Sequence, residues 1–116
     1  METARSLTAI GSQLLDKARS VSAGRSSDTV FGGAEHSLRQ TMIALTAGSK
    51  LADHESPGDA TLHVLVGSVV LTGGPRGDVA GSAGDLLVIP NARHGLVAES
   101  DAVVLLTVAK TPHLEN

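Results

Sequence analysis

The chain contains no cysteine, tryptophan or tyrosine, and Phe31 is its single phenylalanine. Without cysteine there are no disulfides, no thiolate metal ligands and no cysteine nucleophile, and thiol usage says nothing about redox compartment. Without aromatic side chains beyond Phe31, recognition of sugars or bases by stacking is disfavoured. Basic residues are also sparse: nine Lys and Arg are scattered along the chain and the net charge is −3. No basic stripe exists to follow a phosphate backbone, so nucleic acid is not an expected partner. No apolar run approaches the roughly 20 residues that a membrane-spanning helix needs, and the first residues, with Glu2, lack the apolar core of a leader. The expectation is a soluble, cytoplasmic protein.

What remains is aliphatic. Hydrophobic residues make up 41% of the 116 positions, chiefly Val, Leu, Ala and Ile. That length suits one core rather than two. From Ser6 to Ala18 the apolar residues Leu7, Ile10, Leu14, Leu15 and Ala18 recur every three or four positions, with Ser6 or Thr8 available as N-cap, which predicts a short amphipathic helix. "SVSAGRSSDTVFGG", residues 20–33, is rich in Ser and Gly and reads as a connector with a short extended piece over Thr29 to Phe31.

Beyond His36 the period changes to that of short strands divided by glycine-rich turns. "SLRQTMIALTAG" alternates Leu38, Gln40, Met42, Ala44 and Thr46 against Arg39, Thr41, Ile43 and Leu45, a strand whose buried face the alternation leaves open. "LHVLVG" and "SVVLTGG" predict a hairpin turning at Gly67 and Ser68. "DLLVIP", "RHGLVAE" and "VVLLTVAK" follow as further strands. About eight strands, spaced about 8 to 12 residues apart, predict an all-β sandwich or small barrel. The organisation expected is a helix and connector over 1–35, one barrel domain over 36–110, and a frayed tail over 111–116.

Gly48, five residues and His54, then Gly67, then Gly84, five residues, Pro90 and His94 resemble the two motifs of the cupin superfamily, G-x5-H-x-H-x3-4-E-x6-G and G-x5-P-x-G-x2-H-x3-N. The resemblance spans roughly Gly48 to Ala98. It implies a jelly-roll barrel of antiparallel strands holding one divalent metal (Fe, Mn, Ni, Cu or Zn) on three imidazoles and a carboxylate. Carried over position by position, His54 takes the place of the first histidine, Ser56 that of the second and Ala60 that of the glutamate. Gly84 and Pro90 match, Ala92 replaces a glycine, His94 stands one residue early for the last histidine, and Ala98 replaces the asparagine. The framework is present and half of the ligand set is absent.

Alternation along a strand puts Ala60, Leu62, Val64 and Val66 on one face and His63 on the other. His54, Ser56, Ala60, Leu62 and His94 are therefore the expected pocket, with His54 and His94 its metal-capable pair and Glu55, Asp59 and His36 the candidates for additional ligands. The first functional reading is a small-molecule-binding cupin with an aliphatic pocket and at most weak metal affinity. The alternative is a metal-dependent dioxygenase or isomerase working through His54 and His94. A further alternative is a sensory or interaction module, for which the single helix is too little to form a DNA-binding helix-turn-helix. Outward-facing apolar residues on "TMIAL" and "VVLLTV", more than a lone small barrel should expose, together with a helix that needs a docking surface, predict a two-fold homodimer.

Overall fold

A computed structural model describes residues 3–55 and 58–110. One helix precedes nine strands among these residues: α1 (Leu7–Arg19), β1 (Arg25–Phe31), β2 (Leu38–Leu45), β3 (Lys50–His54), β4 (Asp59–Val66), β5 (Ser68–Thr72), β6 (Val79–Ser82), β7 (Leu86–Val88), β8 (His94–Ala98) and β9 (Ala102–Ala109). Every strand pairing is antiparallel. The strands form two facing sheets, in the orders β1-β2-β9-β4-β7 and β3-β8-β5-β6. This is the all-β jelly-roll architecture, with its two sheets left open at their edges rather than closed into the expected barrel.

The extended piece expected over Thr29 to Phe31 is the end of a full strand, β1, which adds an edge to the larger sheet through pairing with β2. The 25–31 part of the expected connector is thus sheet. The predicted tail over 111–116 lies outside the described residues.

Strand β9 lies between β2 and β4, so side chains line up in rows across three strands. Directly paired residues of antiparallel strands point to the same face. Ile43, Val104 and Val64 make one inward row, Thr41, Leu106 and Leu62 the next, and Arg39, Val108 and Ala60 the last. Opposite them the smaller sheet contributes Val69, Leu71, Leu96 and Ala98, and the two sets form one aliphatic core. A fully buried Leu or Val contributes about 1.5–3 kcal/mol relative to an exposed one, so branched aliphatics supply what the missing aromatics do not.

The outer face of the larger sheet is covered as well. Leu14, Leu15 and Ala18 of α1 pack on Met42, Ala44 and Val103. Both faces of β2 and β9 are therefore buried, which is why the sequence alternation could not choose between them. The same packing accounts for the apolar outer face from which a dimer was expected: α1 occupies it. The helix begins at Ser6, whose Oγ accepts from the Ala9 N–H at 3.1 Å.

The hairpin expected at Gly67 and Ser68 does not form. β4 pairs with β7 and β9, β5 with β6 and β8, so the chain changes sheets at this point. Gly67 turns the corner at φ 78°, where a Cβ would collide with the Asp101 carbonyl oxygen. A bulge between Val64 and Val66 reverses the alternation just before the corner, and Val66, expected inward, is 46% exposed on the helix side.

The end of α1 is fastened to the β8–β9 turn by Arg19, whose Nε and Nη2 donate to Asp101 Oδ2 at 3.1 and 3.0 Å. Asp101 Oδ1 accepts the Ala47 N–H at 2.9 Å. The Ala47 hydrogen bond and then Arg19 hold the Asp101 carboxyl below its ordinary pKa of 3.8. A carboxylate lowered in the folded state stabilises above its unfolded pKa and loses that contribution as pH falls through the lowered value. Asp101→Asn is expected to melt at a lower temperature than the parent at pH 7, with the gap closing as the pH is taken below 3.8; thermal melts followed by circular dichroism across that range check it.

Candidate functional site

The site is built where β3 of the smaller sheet meets β8. His54 and His94 are direct cross-strand partners, and the register slips between Leu51 and His54, leaving one extra residue on β3. In a regular strand, positions three apart face opposite sides. The bulge cancels that parity and puts His54 on the same side as Leu51, as His94 is on the side of Leu96. Beside it, Gly95 lies close to the exposed Asp53 carboxylate.

The two imidazoles lie with ring centroids 4.5 Å apart and planes inclined by 59°. His94 is 4% exposed, whereas His54 lies at the exposed rim. Their hydrogen bonding is the same: His54 Nδ1 is 3.0 Å from the Ala52 carbonyl oxygen and His94 Nδ1 is 2.9 Å from that of Ala92. A carbonyl only accepts, so Nδ1 donates in each ring and the neutral imidazole keeps a free lone pair on Nε2.

Both rings line a cavity of about 190 Å³ at the open end of the sandwich. Ala60, Ile89, Leu106 and Val108 form its aliphatic wall, and Arg39 and Glu55 are its charged members. Of the expected pocket residues, His54, Ala60 and His94 meet here. Leu62, in the row next to Ala60 and Val108, is 3% exposed within the core and does not line the cavity. Ser56 lies outside the described residues.

The candidate extra ligands divide. Glu55 lines the same cavity. Asp59 faces an adjoining groove of about 410 Å³ that also touches Ala60 and Ile89. His36 does not approach the pair: it packs on Phe31 with centroids 5.0 Å apart, in a groove beside Arg5. Among the described residues no three His, Cys, Asp or Glu side chains converge as a metal would require. Two imidazoles do not make the three-imidazole, one-carboxylate set that the resemblance implies, so the residues described here do not fit that centre.

Arg39 escaped the sequence reading. The signal was available, because Arg39 shares parity with Ile43 and Leu45, and once those are known to face the core Arg39 must as well. The three ion pairs among the described residues join Arg5 to Asp28 and Arg19 to Asp16 and Asp101. Arg39 takes no part in them.

A two-sheet antiparallel jelly roll with a paired-histidine cavity between the sheet ends defines a cupin-type fold. No family model and no curated protein matches the chain. Among solved structures it is similar to a conserved Streptococcus pyogenes protein of unknown function, with 28% identity, 75% of each chain covered and a TM-score of 0.67. It is also similar to an RmlC-like cupin from Desulfovibrio desulfuricans, with 23% identity over 95% of this chain and 97% of the other and a TM-score of 0.71. A third likeness is to salicylate 1,2-dioxygenase from Pseudaminobacter salicylatoxidans, with 16% identity over 94% of this chain but 40% of the enzyme and a TM-score of 0.73. The fold is that of a small RmlC-like cupin.

Two histidines alone give open, weak coordination. Protein produced without an affinity tag and dialysed after exposure to zinc, manganese or iron(II) is expected to keep well under one equivalent by elemental analysis, unchanged by His54→Ala. A full equivalent that His54→Ala removes would overturn this.

Proposed function

We propose that this chain binds a small, largely apolar molecule in the cavity between the sheet ends, beside the imidazoles of His54 and His94. The observation that carries the reading is the shared tethering of the two rings. With each Nδ1 held by a backbone carbonyl of its own strand, both rings are oriented in advance along the cavity. An aliphatic wall with a few convergent polar groups is the usual composition of a small-molecule site. The volume, about 190 Å³, equals that of about six waters at roughly 30 Å³ each, which suits a molecule of a few carbons.

The metal-dependent dioxygenase or isomerase is the weaker reading. It draws on a fold likeness at 16% identity and has two imidazoles where the chemistry needs more ligands.

A fragment library screened by amide chemical-shift perturbation is expected to give saturating hits clustered on Ala60, His94, Leu106 and Val108. Ala60→Leu, which fills the cavity, should abolish them while leaving the rest of the spectrum in place. Hits clustered elsewhere, or none, would sink the proposal.

We also propose a homodimer, on a surface other than the one first expected. Leu86 and Val88 of the edge strand β7 are 61% and 74% exposed. Hydrogen bonds from Val64 to Asp85 and from Ile89 to Ala60 turn the odd-numbered positions toward β4. The backbone groups of Leu86 and Val88 therefore face the open edge, an arrangement that favours pairing with another strand, and a second copy brings the same short apolar strand. Light scattering at micromolar concentration should return twice 11.7 kDa, falling to the monomer for the Leu86→Lys, Val88→Lys double variant; a parent monomer refutes the dimer.

A further inference from the structure

We infer that the ligand of this cavity is a small aliphatic carboxylate, anchored by Arg39; the inference rests on the small-molecule reading above and narrows it to a chemical class.

Arg39 is the first residue of the last inward row of the larger sheet, beside Val108 and Ala60. Its row neighbours are apolar and 2% and 7% exposed, so the guanidinium sits at an aliphatic wall rather than in a polar surface patch. Arg39 makes no ion pair and no side-chain hydrogen bond with the described residues. A half-buried guanidinium carries five N–H donors in a planar fork whose best partner is a carboxylate gripped at both oxygens. No described residue supplies that partner.

The other polar members of the cavity narrow the choice. Arg39 makes no hydrogen bond to His54 or His94, whose Nδ1 atoms are held by carbonyls of their own strands. Glu55 is the one carboxylate that lines the same space, and it lies at the exposed rim, not within 4.0 Å of the guanidinium. Its negative charge opposes an incoming anion, and this repulsion is a term that the inference predicts to be measurable. Ala60, Ile89, Leu106 and Val108 would receive a short branched hydrocarbon tail.

The test uses two probes of equal size and shape, 3-methylbutanoate and its uncharged amide, titrated into the full chain in a carboxylate-free buffer of low ionic strength and followed by amide chemical shifts at Ala60, His94 and Val108. The acid is expected to bind at least tenfold more tightly than the amide. Arg39→Gln should weaken the acid to the level of the amide and leave the amide unchanged, Arg39→Lys should keep part of the preference, and Glu55→Gln should tighten the acid severalfold. Equal affinity of acid and amide in the parent protein, or a preference that survives Arg39→Gln, would overturn the carboxylate assignment while leaving the small-molecule reading standing. If neither probe saturates at the cavity while other fragments do, the carboxylate assignment alone falls; if no molecule binds there, both readings fall. The comparison in the parent protein needs no variant to fold.

Discussion

Strand β9 is the constraint on which the rest of this small protein depends. It is paired along its whole length on both edges, with β2 and with β4, and it is covered on both faces. Ala102 and Val104 feed the inter-sheet core, while Val103 supports α1. A chain without large aromatic residues cannot fill a wide interior, and here the interior is thin because the branched side chains of two sheets meet directly. The helix does for the outer face what a third layer would do in a larger domain. Its docking is fastened by Arg19 and Asp101 at one end and capped by Ser6 at the other.

The cavity follows from the same row structure. The inward rows carry no charged residue until the last, where Arg39 stands and Ala60 leaves space. Two histidines arrive from the opposite sheet at that level because one extra residue in β3 shifts its parity. The site is thus a place where the core ends early: Val108 and Leu106 would otherwise continue it.

How much of this was legible in the sequence differs from feature to feature. The helix over Leu7–Arg19 and its Ser6 cap were readable because period and capping are local properties. The jelly roll was readable from glycine and histidine spacing, and His54 with His94 from the same motifs. The change of sheet at Gly67 was not, since a corner and a hairpin use the same residues and differ in which distant strands they meet. Bulges at Leu51–His54 and Val64–Val66 were equally silent, and each reverses the parity on which inward and outward assignments rest, as Val66 illustrates. Arg39 was hidden by a different cause: with both faces of β2 buried, alternation alone carried no sign, and the sign came from α1 covering Met42 and Ala44.

The cavity combines an incomplete set of metal ligands with Arg39, which has no ion-pair partner among the described residues. A metal held by three imidazoles and a carboxylate would bring net positive charge to the sheet ends. Here Ala60 stands in the carboxylate's place and the imidazole pair consists of two backbone-tethered rings. Arg39 is a fixed positive charge lining the same aliphatic cavity, and unlike a metal it cannot activate oxygen or lower the pKa of water. What it can do is select: a guanidinium beside apolar walls discriminates an anion from a neutral molecule of the same shape, because the low local polarity strengthens the ionic contact. On the proposed reading, Arg39 sets the charge of the ligand and the aliphatic wall its shape.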